Sequence, residues 1–150
     1  MKFRNASALF LIFAALPATW GHAAGPAIAA ARLPDFAGRD KQFAYVRTRI
    51  VEALKAPPNF AGHYTIVTLG CGSGCTSNLI IDRTTGKVSK VPFGGEMQQQ
   101  LALRYRLGSN VLVANWFDDD LCVSQVARWN GVSFELSSQP KGQPDTACLS

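Results

Sequence analysis

The stretch whose residue types could do chemistry runs from Asn59 to Cys75. It reads Asn59-Phe60-Ala61-Gly62-His63-Tyr64, then Thr65 to Leu69, then Gly70-Cys71-Gly72-Ser73-Gly74-Cys75. Glycines at 70, 72 and 74 permit positive φ, and two cysteines this close can close a small ring. Consecutive backbone N–H groups in such a loop can form an anion-binding concavity. A ring of this kind also holds a recognition loop rigid, which lowers the entropy cost of binding. The plainer reading of the same residues is a disulfide-braced connection between two strands. A redox-active pair fits less well, because the spacing is Cys-x-x-x-Cys and no helix start is at hand to lower a thiol pKa.

His63 can be combined with Cys75 as a base and nucleophile, with Asp82, or with cysteines around zinc. The first needs a free thiolate. Zinc needs a second closely spaced ligand pair, and Cys122 and Cys148 stand too far apart to supply one. The acidic run Asp118-Asp119-Asp120 lacks the spaced ligands and terminal Glu of a calcium loop, and reads as a solvated turn. Arg104 and Arg106, two apart on a strand pattern, can face an anion or keep an outer face wet. His63, Tyr64, Gly72, Ser73, Gly74, Arg104 and Arg106 are therefore the candidate binding residues. No catalytic residue, metal ligand or cofactor is assigned.

The start of the chain sets the compartment. Lys2 and Arg4 precede an apolar run over 6–16, and Gly21 and Ala23 sit at small-x-small spacing. This is the pattern of a Sec-type signal peptide over 1–23, with cleavage favoured after Ala23, and Ala24 and Ala29 as the other positions. Without it 15 basic residues become 13 against the same 10 acidic ones, and the formal charge falls from +5 to +3. The remaining basic residues are scattered rather than arranged in a stripe, so nucleic acid is not the expected partner. No run of apolar residues is long enough to span a bilayer. In an oxidising compartment an even count of cysteines reads as disulfides. Cys71–Cys75 with Cys122–Cys148 is the preferred pairing, the rival pairings tying the first loop to Cys122 or to the tail.

These residues need elements to hold them. Residues 24–39 are small and rich in Pro and Gly, a flexible lead-in to a single domain over 40–150. Phe43, Val46, Ile50 and Leu54 fall at helical spacing, with Asp40 as N-cap and Pro57-Pro58 as stop. Beyond Pro58 the period drops to two. Strands are expected over 63–69, 78–82, 87–91, 101–107, 111–117, 122–129 and 132–136. Arg83 to Gly86, Gly108 to Asn110 and Asn130-Gly131 supply the turns. The polar tail from Ser137 carries no strand pattern. The fold class is α+β, one N-terminal amphipathic helix packed on a mainly antiparallel meander of about seven strands. No parallel βαβ crossover is visible, which sets aside dinucleotide-binding enzymes.

In Pro58 to Cys75, Leu79-Ile80-Ile81-Asp82, Thr85-Gly86-Lys87-Val88 and Arg128-Trp129-Asn130-Gly131-Val132-Ser133-Phe134, the chain resembles a family of small exported bacterial proteins of unknown function. They share a Phe-Ala-Gly-x-Tyr strand, a Gly-Cys-Gly-x-x-Cys loop and an Ile-Asp-x-x-Thr-Gly hairpin. The resemblance implies bacterial export and carries no activity. In layout the chain is also similar to periplasmic inhibitors of vertebrate-type lysozyme, whose disulfide-closed loop enters the enzyme's cleft. The His and Asp that such a loop carries are replaced here by Gly72-Ser73-Gly74. Together these readings predict a non-enzymatic periplasmic or secreted binding domain whose partner is an envelope or foreign protein. The alternative is a small envelope hydrolase or thiol enzyme using His63 with Cys75 or Asp82.

Overall fold

The computed structural model describes residues 30–119, 121–137 and 139–144. The expected signal peptide, residues 24–29 and Cys148 lie outside them. The class is α+β, and all strand pairing is antiparallel. A 3-10 turn over Lys41–Val46 leads into α1 (Arg47–Ala53), followed among the described residues by eight strands. These are β1 (Tyr64–Gly72), β2 (Cys75–Asp82), β3 (Val88–Gly94), β4 (Gln99–Arg104), β5 (Val111–Asp118), β6 (Leu121–Trp129), β7 (Phe134–Leu136) and β8 (Lys141–Pro144).

The single meander is corrected to two sheets, β1-β2-β3 and β4-β5-β6-β7, with β8 pairing on β6. The break falls between β3 and β4, where Gly94 and Gly95 both have positive φ and turn the chain out of the first sheet. The unforeseen strand is β8, which pairs β6 over Leu121–Ser124 while β7 pairs it over Ala127–Trp129. Backbone pairing needs no apolar pattern, so a polar tail can supply a strand.

The first sheet is buried on both faces, which is why its strands read as nearly continuous apolar runs. Tyr64, Ile66, Ile80, Val91 and Phe93 face the second sheet's Leu112, Ala114, Trp116, Val123, Ala127 and Trp129. The alternate residues Val67, Leu69, Leu79, Ile81 and Val88 receive Phe43, Ile50 and Leu54 from the helical segment. Phe60, fully buried ahead of β1, lies between Tyr105 and Phe134, with ring centroids 6.0 Å from each. Burying one such side chain stabilises the fold by about 1.5–3 kcal/mol.

The helical segment is not N-terminal, since residues 1–40 precede it, and its first half is 3-10 rather than α. Asp40 does not cap it through its side chain. Its carboxylate, 1% exposed, instead accepts N–H groups from Val88 (3.1 Å) and Asp35 (3.1 Å) and an ion pair from Arg39 (2.8 Å). Residues 30–39, read from composition as a flexible lead-in, make defined contacts. Pro34 is buried, Phe36 packs on the helical layer, and the Arg32 N–H donates to the Arg83 carbonyl at 2.9 Å. Gly86, at φ +74, is required there, because an added Cβ would stand 2.5 Å from the Leu33 carbonyl oxygen.

Candidate functional site

β1 is nine residues long and pairs with β2 from Tyr64↔Asp82 at one end to Gly72↔Cys75 at the other. At about 3.3 Å per residue, His63 and the disulfide loop are roughly 26 Å apart. The candidate residues therefore fall into separate groups at opposite ends of the molecule.

At one end, Cys71 and Cys75 are joined by a disulfide, with their Cα atoms 5.2 Å apart. The bond closes the tip of the β1–β2 hairpin, and Cys71, Gly72, Ser73 and Gly74 are all exposed. Gly72 (φ +138) and Gly74 (φ +70) occupy conformations that side-chain-bearing residues avoid. The tip is braced from behind, where the Gln100 N–H donates to the Gly74 carbonyl at 3.1 Å. Gln100 itself is held at φ +54 by the irregular start of β4.

Two exposed apolar side chains stand at this end of the two sheets, one of them next to the tip. The β3–β4 connection runs alongside it, with the Gly95 N–H on the Thr76 carbonyl at 2.7 Å, and carries Met97, 87% exposed. The β5–β6 turn follows Phe117, the partner of Gln99, and carries exposed Asp118, Asp119 and Leu121. Sequence reasoning passed over Met97 and Leu121. The signal for Met97 was present, since an unbranched apolar residue stands inside the polar string Gly95-Glu96-Met97-Gln98-Gln99-Gln100. Leu121 had none, because only the sheet register shows which end it occupies.

At the opposite end His63 is half-exposed, and its Nε2 stands 3.5 Å from Asp82 Oδ1. Asp82 is already engaged. It accepts the Thr84 N–H (2.8 Å), the Thr84 hydroxyl (2.6 Å) and the Thr85 hydroxyl (2.8 Å), which fix the β2–β3 turn. Burial works to raise the Asp82 pKa, but these hydrogen bonds outweigh it and hold the carboxyl below its ordinary value. Tyr64 is a core residue, its ring edge-on to Trp129 at 5.5 Å and against His63 at 4.2 Å. Cys75, bonded to Cys71, presents no thiol to His63.

Arg104 and Arg106 lie on and just beyond β4, both exposed. With Ser109 and Val111 they line a cavity of about 460 Å³ on the outer side of the second sheet. Arg106 belongs to the turn whose Leu107 and Ser109 carbonyls accept the Gly62 and Ala61 N–H groups, so it stands towards the His63 end. Cys122 is buried in β6 and is not a free thiol.

Among the described residues no three His, Cys, Asp or Glu side chains come together as metal ligands do. No helix there is long and apolar enough to cross a membrane. Comparison with family models, with curated proteins and with solved structures gives no match.

Proposed function

We propose that this chain is an exported, non-enzymatic binding domain of the periplasm or cell exterior, and that it meets a protein partner through its disulfide-closed tip. The observation that carries the reading is the exposed Gly72-Ser73-Gly74 tip, closed by Cys71–Cys75, with exposed Met97 on the β3–β4 connection that hydrogen-bonds alongside it. A pre-ordered loop loses little entropy on binding, and the solvent-facing Met97 side chain beside it supplies apolar area to bury. The disulfide and the leader pattern of residues 1–23 support an oxidising compartment. The likeness to small exported bacterial proteins with a Phe-Ala-Gly-x-Tyr strand supports the same placement. An envelope or foreign protein is the partner class, engaged as an inhibitor loop engages a cleft.

The test is affinity capture from envelope extract with the mature protein beside Ser73→Arg and Met97→Glu. The reading expects a partner retained by the wild type and lost from both variants. Identical recovery by all three contradicts it.

A second reading, a small hydrolase, is favoured by the 3.5 Å approach of His63 to Asp82. It predicts a hydrolytic activity that His63→Gln abolishes, and fails if the two proteins turn over ester and amide substrates equally slowly.

A further inference from the structure

Far from the tip, the segment around Arg32, the loop from Pro58 to His63 and the β2–β3 turn enclose a cavity of about 360 Å³. Its polar lining is Arg32, His63, Arg83 and Thr84. Arg83 is the informative member. It is 7% exposed, and its guanidinium donates to the Ala56 carbonyl (2.9 Å), the Thr65 hydroxyl (3.0 Å) and the Leu54 carbonyl (3.2 Å). All three acceptors are neutral, and no carboxylate of the described residues lies within ion-pair distance of it.

A charge this deeply buried ordinarily has a counter-charge. The carbonyls at the end of α1 supply only the partial charge of a helix C-terminus. The three bonds leave two of the five guanidinium N–H groups unassigned. Arg32 and His63 bring two more bases to the same cavity. Asp82, the residue before Arg83, is outside the lining; it accepts from Thr84 and Thr85, with His63 Nε2 3.5 Å from its Oδ1.

From this we infer that the cavity is a phosphate site. It takes a phosphate group, free or as the monoester of a small molecule, between the Arg83 fork and the Arg32 and His63 side chains. Arginine suits this task because its planar fork matches the geometry of two phosphate oxygens. The volume lies within the range of small-molecule sites and leaves room beyond the phosphate for a compact ester. The site is independent of the tip and of its partner.

The experiment titrates the mature protein with inorganic phosphate, glycerol 3-phosphate and acetate at matched ionic strength, read by calorimetry. Saturable binding of phosphate with no response to acetate is expected. The ratio of the two phosphate affinities tells free phosphate from an ester. Arg32→Gln and His63→Gln each remove one contact to the anion and weaken binding by about tenfold or more. Arg49→Gln, exposed on α1 and outside this cavity, leaves it unchanged. Arg83→Lys keeps the charge and loses the fork, and is read only where circular dichroism shows it folded. If it does not fold, the Arg32 and His63 variants decide between the outcomes. Absence of saturable phosphate binding to the wild type overturns the inference, as does binding that neither Arg32→Gln nor His63→Gln weakens.

Discussion

Asp40 Oδ1 accepts the Val88 N–H at 3.1 Å, joining the residue ahead of the helical segment to the first residue of β3. The same carboxylate holds the Asp35 N–H and the Arg39 guanidinium. One buried acid therefore ties the lead-in, the helical layer and the central sheet together. Asp40→Ala leaves the Val88 N–H buried without its acceptor and is expected to cost about 2–3 kcal/mol. Urea denaturation measures this as a lower midpoint at unchanged slope. A change under about 0.5 kcal/mol, the size usual for surface substitutions, would remove Asp40 from this role.

Stability should fall in acid for a reason located at two carboxyls. Burial raises the pKa of both Asp40 and Asp82, but their hydrogen bonds and, at Asp40, the Arg39 ion pair prevail and hold both below the ordinary 3.8. A carboxyl lowered by folding contributes stability that is present above its unfolded pKa and is lost as pH falls through the folded one. The loss is therefore expected below about pH 4, and Asp82→Asn should flatten part of it. Equal acid sensitivity in wild type and variant contradicts this assignment.

The Cys71–Cys75 bond closes a short ring, so its effect on the unfolded chain sits at the low end for disulfides. Replacing both by Ser is expected to cost about 2 kcal/mol. The brace from Gln100 to Gly74 remains, so the sheets should keep their far-ultraviolet signature. A double variant that melts with the wild type shows that the bond does not brace the hairpin.

Gly86 tests the docking of the lead-in. An added methyl meets the Leu33 carbonyl and sits at a φ that alanine avoids. Gly86→Ala is expected to cost more than about 1 kcal/mol and to raise amide exchange at Arg32, whose N–H is held by Arg83. Unchanged exchange at Arg32 would contradict that coupling.

The strands were legible because their signals are local. The apolar run from Val111 to Phe117 and the turn signal Asn130-Gly131 need no knowledge of distant residues; the first is β5, and the second opens the β6–β7 turn, which runs on to Ser133 before β7 starts. Asp40 misleads for the opposite reason. A short acid ahead of an apolar stripe looks like a cap, and only the tertiary fold brings Val88 to it. The separation of His63 from the tip was in reach of the sequence, since an extended run from Tyr64 to Gly72 must put its ends far apart. Arg83 carried no local sign of burial, because in a Thr-Thr-Gly turn an arginine looks like surface. Its partners, Leu54, Ala56 and Thr65, come from other elements.

The tip as contact surface is tested most directly by placing a photo-crosslinking residue at position 73, and for comparison at Thr85 in the turn at the far end of the hairpin. Both sites are exposed, so both proteins should fold. Irradiation in the producing cell is predicted to give a discrete protein adduct from position 73 and none from position 85. No adduct from 73, or the same adducts from both, would contradict the account.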